Sequence, residues 1–115
     1  MKRLNEKLFD ALTIASNQTS AILNCGDVYC FGIVTTVAGA AVSGTIKLQV
    51  SNDMGTNETG LGVTNWADLG TARTLSAAGS FADNFDGQSF KWVRAVYTTA
   101  AGTGTITVNF NGKGA

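Results

Sequence analysis

Apolar and polar residues alternate along most of the chain from residue 19 onward, and a period of two is the signature of β-strands. The clearest alternation spans residues 45–50, where Ile46, Leu48 and Val50 are expected to point inward and the residues between them outward. Turn residues separate the alternating segments. The other strands predicted in this way cover residues 19–23, 28–37, 66–69, 73–76, 80–85, 90–97 and 105–110.

The last two predicted strands have the strongest pattern. In residues 90–97 both faces carry apolar side chains, which is typical of a central strand. Residues 105–110 alternate Ile106, Val108 and Phe110 with polar residues, and a small-residue turn separates the two segments. We therefore predict that residues 90–97 and 105–110 pair with each other. In segment 28–37 the alternation places one set of side chains on a common face, namely Tyr29, Phe31, Ile33, Thr35 and Val37.

The first 18 residues have a different pattern. Leu4, Leu8 and Leu12 recur every four residues with Phe9 beside them, and this spacing predicts a short amphipathic helix over residues 2–12. A helix this short must dock on something, because it is marginal in isolation. Its apolar side could pack on its own domain or, as an arm, on a neighbouring subunit. We therefore divide the chain into an N-terminal helix or arm, residues 1–18, and a β-sandwich domain, residues 19–115.

Residues 51–62 carry turn residues without an apolar period, so they are predicted to form the longest loop. Long loops in compact domains often hold contact functions. Together with the N-terminal segment, this loop supplies the candidate subunit contacts. These are Leu4, Leu8, Phe9, Leu12, Met54, Asn57 and Leu61.

Seven to eight short strands with turns at regular spacing predict a single all-β domain. The architecture expected is an antiparallel β-sandwich of the jelly-roll type with a short N-terminal helix or arm. A chain of 115 residues without a linker or internal repeat fits one such domain.

Composition narrows the possible functions. Eight basic and eight acidic residues give a net charge of zero, so nothing draws the protein to nucleic acid or to an anionic membrane. No apolar run approaches the roughly 20 residues that span a bilayer. The chain has no His, which removes the usual general base and the commonest metal ligand. We expect neither an enzyme nor a cofactor.

The two cysteines, Cys25 and Cys30, flank a predicted turn. An extended strand would place their Cα atoms roughly 16 Å apart, whereas a disulfide needs about 4.4–6.8 Å. Only a tight turn or a bulge could join them. We expect free, partly buried thiols, because a reducing cytoplasm disfavours disulfides.

Four aspartates lie at predicted turns, and carboxylates are ligands that Ca²⁺ prefers. Aspartate is also a good turn former, and no segment has the spacing of an EF-hand loop. We therefore favour turn formation over a metal site for Asp27, Asp53, Asp83 and Asp86.

Arg94 lies within an apolar strand, where a guanidinium needs a carboxylate, several carbonyls or an aromatic ring as a partner. We interpret Arg94, Trp66, Trp92 and Tyr97 as structural residues. Arg94 could alternatively anchor a ligand or a subunit. The aromatic residues, with Tyr29, could alternatively line a sugar-binding platform, although core packing is the commoner fate of such rings.

Several segments in order resemble a known group of proteins. They are Phe31-Gly-Ile, residues 44–53, Asn65-Trp-Ala-Asp-Leu69, residues 91–97 and Gly102-Thr-Gly-Thr-Ile106. Over residues 25–114 the set resembles the small β-sandwich virion structural proteins of tailed bacteriophages, of the decoration, neck or fibre-base type. Residues 54–63 depart from the pattern as an apparent insertion.

This resemblance implies a non-enzymatic virion protein, made in the cytoplasm of a bacterial host, that forms homo-oligomers and docks on capsid or neck and tail proteins. The alternative is a carbohydrate-binding β-sandwich module for attachment to the host surface. The run Gln49-Val-Ser-Asn-Asp followed by Asn65-Trp66 resembles discoidin-type binding domains, which also favours that alternative.

Overall fold

The computed structural model describes residues 3–13, 16–26, 30–41, 43–54, 62–85, 90–99 and 103–114. These residues form β-strands joined by turns and loops, and none of them forms a helix that could cross a membrane. The strands within the described ranges are β1 (Arg3–Thr13), β2 (Gln18–Thr19), β3 (Leu23–Asn24), β4 (Cys30–Ala41), β5 (Thr45–Ser51), β6 (Ala67–Thr74), β7 (Gly79–Phe85), β8 (Trp92–Thr98) and β9 (Thr103–Lys113).

The strands form two antiparallel sheets. One has the order β1-β9-β4-β7, and the other has the order β2-β8-β5-β6 with β3 also paired to β8. Since β2 and β3 contact successive parts of β8, they act as two halves of one broken strand. The first sheet has four strands, and the second is a five-stranded sheet in which β2 and β3 share one of four strand positions. The chain passes between the sheets in the order of a jelly roll. The predicted all-β jelly-roll sandwich is confirmed.

The core lies between the two sheets and is built by alternation. In β5, Ile46, Leu48 and Val50 are buried while the residues between them are partly exposed, as predicted. From the other sheet, Phe110 of β9 is fully buried, and its ring stacks on Phe31 of β4 with centroids 4.9 Å apart. Each such side chain contributes about 1.5–3 kcal/mol by leaving water, so these facing rows hold the sheets together.

The helix predicted over residues 2–12 is wrong. Arg3–Thr13 forms β1, which pairs with β9 so that Arg3 lies opposite Lys113. Two register shifts interrupt the pairing, between Lys7 and Phe9 and between Phe9 and Leu12. The shifts move the inward side chains out of strict alternation and leave leucines four residues apart. A spacing of four suits both a helix and an irregular strand, and pairing with β9 decides between them.

The predicted pairing of residues 90–97 with 105–110 is also wrong. β8 pairs with β5, β2 and β3, whereas β9 pairs with β4 and β1 in the other sheet. Alternation identifies which face of a strand is buried but does not identify its neighbour. The position of β8 inside its sheet, in contrast, is confirmed.

Several strand bounds also differ from the predicted ones. β4 continues to Ala41, beyond the predicted strand end at residue 37, with a register irregularity between Ala38 and Ala41. β6 joins the predicted strands 66–69 and 73–76, because Gly70 at φ 72° lets the strand continue through a shift in register. The predicted strand 19–23 is divided between β2 and β3, and Tyr29 lies outside the described residues.

Thr35 lies on the inner face of β4, as predicted, and its hydroxyl is buried with no hydrogen-bond partner among the described residues. A buried polar group without a partner costs about 1–3 kcal/mol. We expect Thr35→Val to raise the free energy of unfolding by about 1 kcal/mol, measured by urea denaturation. Thr36→Val is the control, because Thr36 is exposed and its hydroxyl bonds Ser80 at 3.2 Å. An equal gain in both variants would contradict this explanation.

Candidate functional site

The N-terminal candidate contacts face the domain's own core. Phe9 is buried, and Leu4, Leu8 and Leu12 are partly buried against the same cluster. The apolar side of this segment therefore packs within the sandwich, which was one of the two possibilities for it. What β1 exposes is its polar side, including Asn5 and Lys7.

The described ends of the long loop are held by one carboxylate. Asp53 accepts hydrogen bonds from the backbone N–H groups of Thr64 and Asn65, at 2.9 and 2.8 Å, and from Nδ2 of Asn65 at 3.0 Å. Met54 beside it is 92% exposed. The other two candidate contacts of this loop, Asn57 and Leu61, lie outside the described residues. Asp53 thus fixes the point where the two ends of the loop meet.

These hydrogen bonds lower the pKa of Asp53 from 3.8 to about 2, with the side chain of Asn65 as the largest cause. A lowered pKa means that the carboxylate stabilises the fold above pH 4 and that this stabilisation is lost as the pH falls towards 2. We expect Asp53→Asn to be less stable than the wild type at pH 7. The difference in melting temperature should narrow between pH 4 and pH 2.

The comparison is made on both proteins at each pH, because Asp68 also has a lowered pKa and contributes to the acid response of both. The largest cause of the lowered pKa of Asp68 is the hydrogen bond from the side chain of Gln49. A difference in melting temperature that stays constant down to pH 2 would show that ionised Asp53 does not hold the loop ends.

Trp92 lies on the outer face of the five-stranded sheet and yet is fully buried. Its indole Nε1 donates a hydrogen bond to the backbone oxygen of Asp53 at 2.8 Å. Beside it, the backbone N–H of Lys91 donates to Oδ1 of Asn52 at 2.9 Å, and Nζ of Lys91 lies 5.2 Å from the Trp92 ring centroid. The start of the long loop is therefore seated on this sheet face.

A chain of polar side chains crosses the same outer face. Arg94 donates to Oε1 of Gln49 through Nε and Nη2, at 2.9 and 2.8 Å, and its guanidinium carbon lies 4.1 Å from the Trp66 ring centroid. Nε2 of Gln49 in turn donates to Asp68 at 3.1 Å, and Asp68 pairs with Lys47 at 3.2 Å. The Trp66 ring is therefore the aromatic partner of Arg94. The Oε1 atom of Gln49 takes the place of the carboxylate that was also considered.

Arg94→Ala is expected to lower the free energy of unfolding by about 1–3 kcal/mol, because the stacking contact and two charge-assisted hydrogen bonds are lost together. Burial lowers the pKa of the Arg94 guanidinium, so the charged form of Arg94 depends on these partners for stabilisation. Urea denaturation measures the loss. Arg94→Lys keeps the charge but lacks the fork that bonds Gln49, so it should lose most of the same stability. Unchanged folding with loss of assembly alone would instead make Arg94 an anchor for a partner.

The outer face of the four-stranded sheet carries a groove of about 560 Å³. The register places Gly32 of β4 beside Asn111 of β9, and in the next row Val34 lies between Asn109 and Ala82. Gly32 has no side chain to fill the space, and Val34 is 41% exposed. Sequence patterns did not indicate this groove, because its residues belong to three separate strands. The only signals were the polar alternation of β9 and a glycine inside β4.

The remaining candidate chemistry is limited. Cys25 and Cys30 are free thiols, and burial raises the pKa of Cys25 to about 11 while its Sγ donates to the carbonyl of Phe90 at 3.1 Å. Asp83 pairs with Arg73 at 2.7 Å. Within the described ranges no three His, Cys, Asp or Glu residues converge on a possible metal position. Asp27 and Asp86 lie outside those ranges.

Of the aromatic residues considered for a sugar-binding platform, Trp66 is the one among the described residues whose ring is partly exposed. Trp92 and Tyr97 are fully buried, and the Tyr97 hydroxyl donates to the backbone oxygen of Ser43 at 2.6 Å. Trp66 is partly exposed, with the Arg94 guanidinium stacked on its ring. Tyr29 lies outside the described residues. Trp92 and Tyr97 therefore belong to the scaffold.

No protein-family model matches the sequence, and no curated protein matches it. Solved structures share the fold over nearly the whole chain. The SPBc2 prophage-derived protein YomS has a TM-score of 0.58 and 14% identity, over 96% of this chain and 92% of that one. A structure of Bacillus endospore appendages, a family of disulfide-linked pili, has a TM-score of 0.52 and 14% identity, over 98% and 89%.

A third similar structure is chitosan-binding module 1 from a chitosanase/glucanase of Paenibacillus sp. IK-5. Its TM-score is 0.50 and its identity 21%, over 90% of this chain and 94% of the module. At such identities the likeness establishes the jelly-roll fold, which serves many unrelated functions.

Proposed function

We propose that this chain is a non-enzymatic structural protein of a bacteriophage virion that forms oligomers and docks on the capsid or on the neck and tail. The observation that carries the proposal is the outer face of the four-stranded sheet. The middle of this face bears amides, hydroxyls and an exposed Val34, with no charged side chain among the residues described there. The core of a protein–protein interface is likewise depleted of charge.

The register defines this face row by row. Asn5, Asn111 and Gly32 lie side by side in one row. Lys7, Asn109, Val34 and Ala82 form the next, and Thr36 beside Ser80 continues the face. Among the described residues, charged side chains lie at the border of this face, at Lys113 and at Lys7, which pairs with Asp10 at 3.5 Å. A polar rim around a neutral centre suits repeated contacts that are individually weak and become firm when many copies bind one lattice.

The fold comparisons support the proposal. One similar structure is prophage-derived and another forms appendages, so this jelly roll is found in proteins of phage origin and in assembled fibres. The order of sequence motifs that resembles tailed-phage virion proteins points in the same direction. The absence of His agrees with a role that needs no general base.

The test is whether the protein is found on gradient-purified phage particles from the source strain, together with its oligomeric state by light scattering. We expect Val34→Glu to remain folded but to be lost from particles, because it buries a charge at the centre of the contact. Ala72→Glu, at an exposed position on β6 of the other sheet, is the matched control and should be retained. A strictly monomeric wild type that is absent from particles would refute the proposal.

The second candidate is a carbohydrate-binding module, and the observation that favours it is Trp66. Its ring is partly exposed on a sheet face, and the Arg94 guanidinium that stacks on it holds its orientation. Aromatic rings held in this way can stack against sugars. Binding on a broad glycan array that is lost in Trp66→Ala and kept in Val34→Glu would support this candidate. No signal across the array for the wild type would exclude the glycans tested.

A further inference from the structure

A β-sandwich has edge strands whose free backbone N–H and C=O groups can accept another strand, and most proteins block those edges. Here the edges of the four-stranded sheet are β1 and β7. The edges of the five-stranded sheet are β6 on one side and β2 with β3 on the other. The chain has no Pro, so no edge is blocked in that way.

Three of these edges are interrupted. β1 has two register shifts and a non-glycine residue, Ala11, at φ 50°. β6 has a register shift against β5 and a positive φ of 72° at Gly70. β2 and β3 have two residues each. Bulges and short strands of this kind prevent a regular ladder from forming with a new partner.

β7 is different. It pairs with β4 from Gly79 to Phe85 over seven residues without a register shift. It contains no Lys or Arg, the side chains that most often guard an edge. On the outer face its central residues are small and neutral, namely Ser80, Ala82 and Asn84. Among the described strands, β7 is the only edge that is regular and free of basic side chains, and its one charged residue, Asp83, is paired with Arg73 of the same chain at 2.7 Å.

We propose that β7 is a docking edge for the β7 strand of a second copy, antiparallel and centred on Ala82. The pairing joins two four-stranded sheets into one sheet of eight strands across a twofold axis. It rests on the proposed function, since it names the contact by which an oligomer forms.

The occupant is a second copy because the strand is complementary to itself. Centred on Ala82, the antiparallel pairing places Ser80 of each copy opposite Asn84 of the other, two neutral side chains that can meet closely. On the inner side Asp83 faces Phe81 of the other copy, and the charge of Asp83 is already paired with Arg73 within its own chain at 2.7 Å. No unpaired like charges meet, and each copy supplies the regular edge that the other requires.

The experiment uses the purified full-length chain, with dimer formation followed by sedimentation over a range of concentrations. We expect the wild type to form a dimer. Ala82→Lys and Ala82→Glu each place like charges opposite each other at the axis, so each variant alone should raise the dimer dissociation constant by at least about tenfold. An equal mixture of the two variants should restore the dimer, because opposite charges then meet.

Ala72→Lys is the matched control, since Ala72 is exposed on the interrupted edge strand β6. It should dimerise like the wild type. Circular dichroism and thermal melting establish that all variants fold. A wild type that stays monomeric at every concentration overturns the inference, as does a dimer that Ala82→Lys leaves intact.

The two proposals fail separately. A dimer unaffected at Ala82 in a protein that is still found on particles overturns the β7 contact and leaves the virion role standing. A monomeric wild type overturns the β7 contact whatever Ala82→Lys does to particle binding, because Ala82 also lies on the outer face that is proposed to dock. If the protein dimerises through β7 but is absent from particles, the β7 contact is supported and the virion role is refuted.

Discussion

Replacing Trp92 with Ala is expected to lower the free energy of unfolding by about 3–5 kcal/mol. The ring is fully buried although it lies on the outer face of its sheet, because the start of the long loop covers it. The substitution removes the apolar surface and also leaves the backbone oxygen of Asp53 without the indole donor at 2.8 Å. Since small domains are stable by about 5–15 kcal/mol, much of the total stability depends on this one side chain.

The measurement is urea denaturation followed by circular dichroism, because the substitution removes one of the two tryptophans and makes fluorescence hard to compare. Trp66→Ala is the control. It removes the same kind of ring from a partly exposed position, so it should cost about 1–2 kcal/mol. Equal losses in the two variants would show that the loop does not cover Trp92 in solution.

Gly44→Ala is expected to cost about 2–4 kcal/mol, from backbone strain together with overpacking. Gly44 has φ 107°, a conformation that residues with a side chain rarely adopt. An added Cβ would lie 2.5 Å from the carbonyl oxygen of Thr98 and 2.7 Å from the hydroxyl of Tyr97. The Tyr97 hydroxyl would have to move and so weaken its 2.6 Å bond to Ser43.

The loss is measured from the midpoint of thermal or urea unfolding. Gly26→Ala is the matched control, because its added Cβ would meet only the flexible side chain of Lys91 at 3.2 Å and Oδ1 of Asn24 at 3.4 Å. That variant should change stability by less than about 1 kcal/mol. A Gly44→Ala protein as stable as Gly26→Ala would show that the β4–β5 connection relaxes around the new methyl group.

The sequence predicted the faces of the strands far better than their partners. Alternation correctly identified the buried face of β5 and of β9, because burial of one face depends on the residues of that strand alone. Whether β8 lies beside β5 or β9 depends on where the intervening chain crosses between the sheets. The small residues at 99–102 suit a tight hairpin and a crossing equally well. Leu4, Leu8 and Leu12 were misassigned for a related reason, since only pairing with β9 distinguishes their spacing from a helix.

The candidate surfaces show the same limit. An aromatic ring was among the partners expected for Arg94, because a guanidinium in an apolar strand needs a partner. The structure shows that this ring is Trp66. The groove around Gly32 was not predicted, since it exists only where the register brings Asn109 and Asn111 beside β4. The role of Asp53 in joining the loop ends was also missed, because an aspartate at a turn has the same local pattern whether it caps its own turn or holds a distant one.

The pairing of β1 with β9 has a practical consequence. Arg3 lies opposite Lys113, so the first and last described strands leave the domain at the same pole of the four-stranded sheet. A peptide or fluorescent protein attached before Arg3 or after Lys113 therefore starts from that pole. The opposite pole is the one where Thr13 meets Thr105, so two such fusions on one molecule would start side by side and away from it. The domain is thus suited to presenting two fused groups from the same end of the four-stranded sheet.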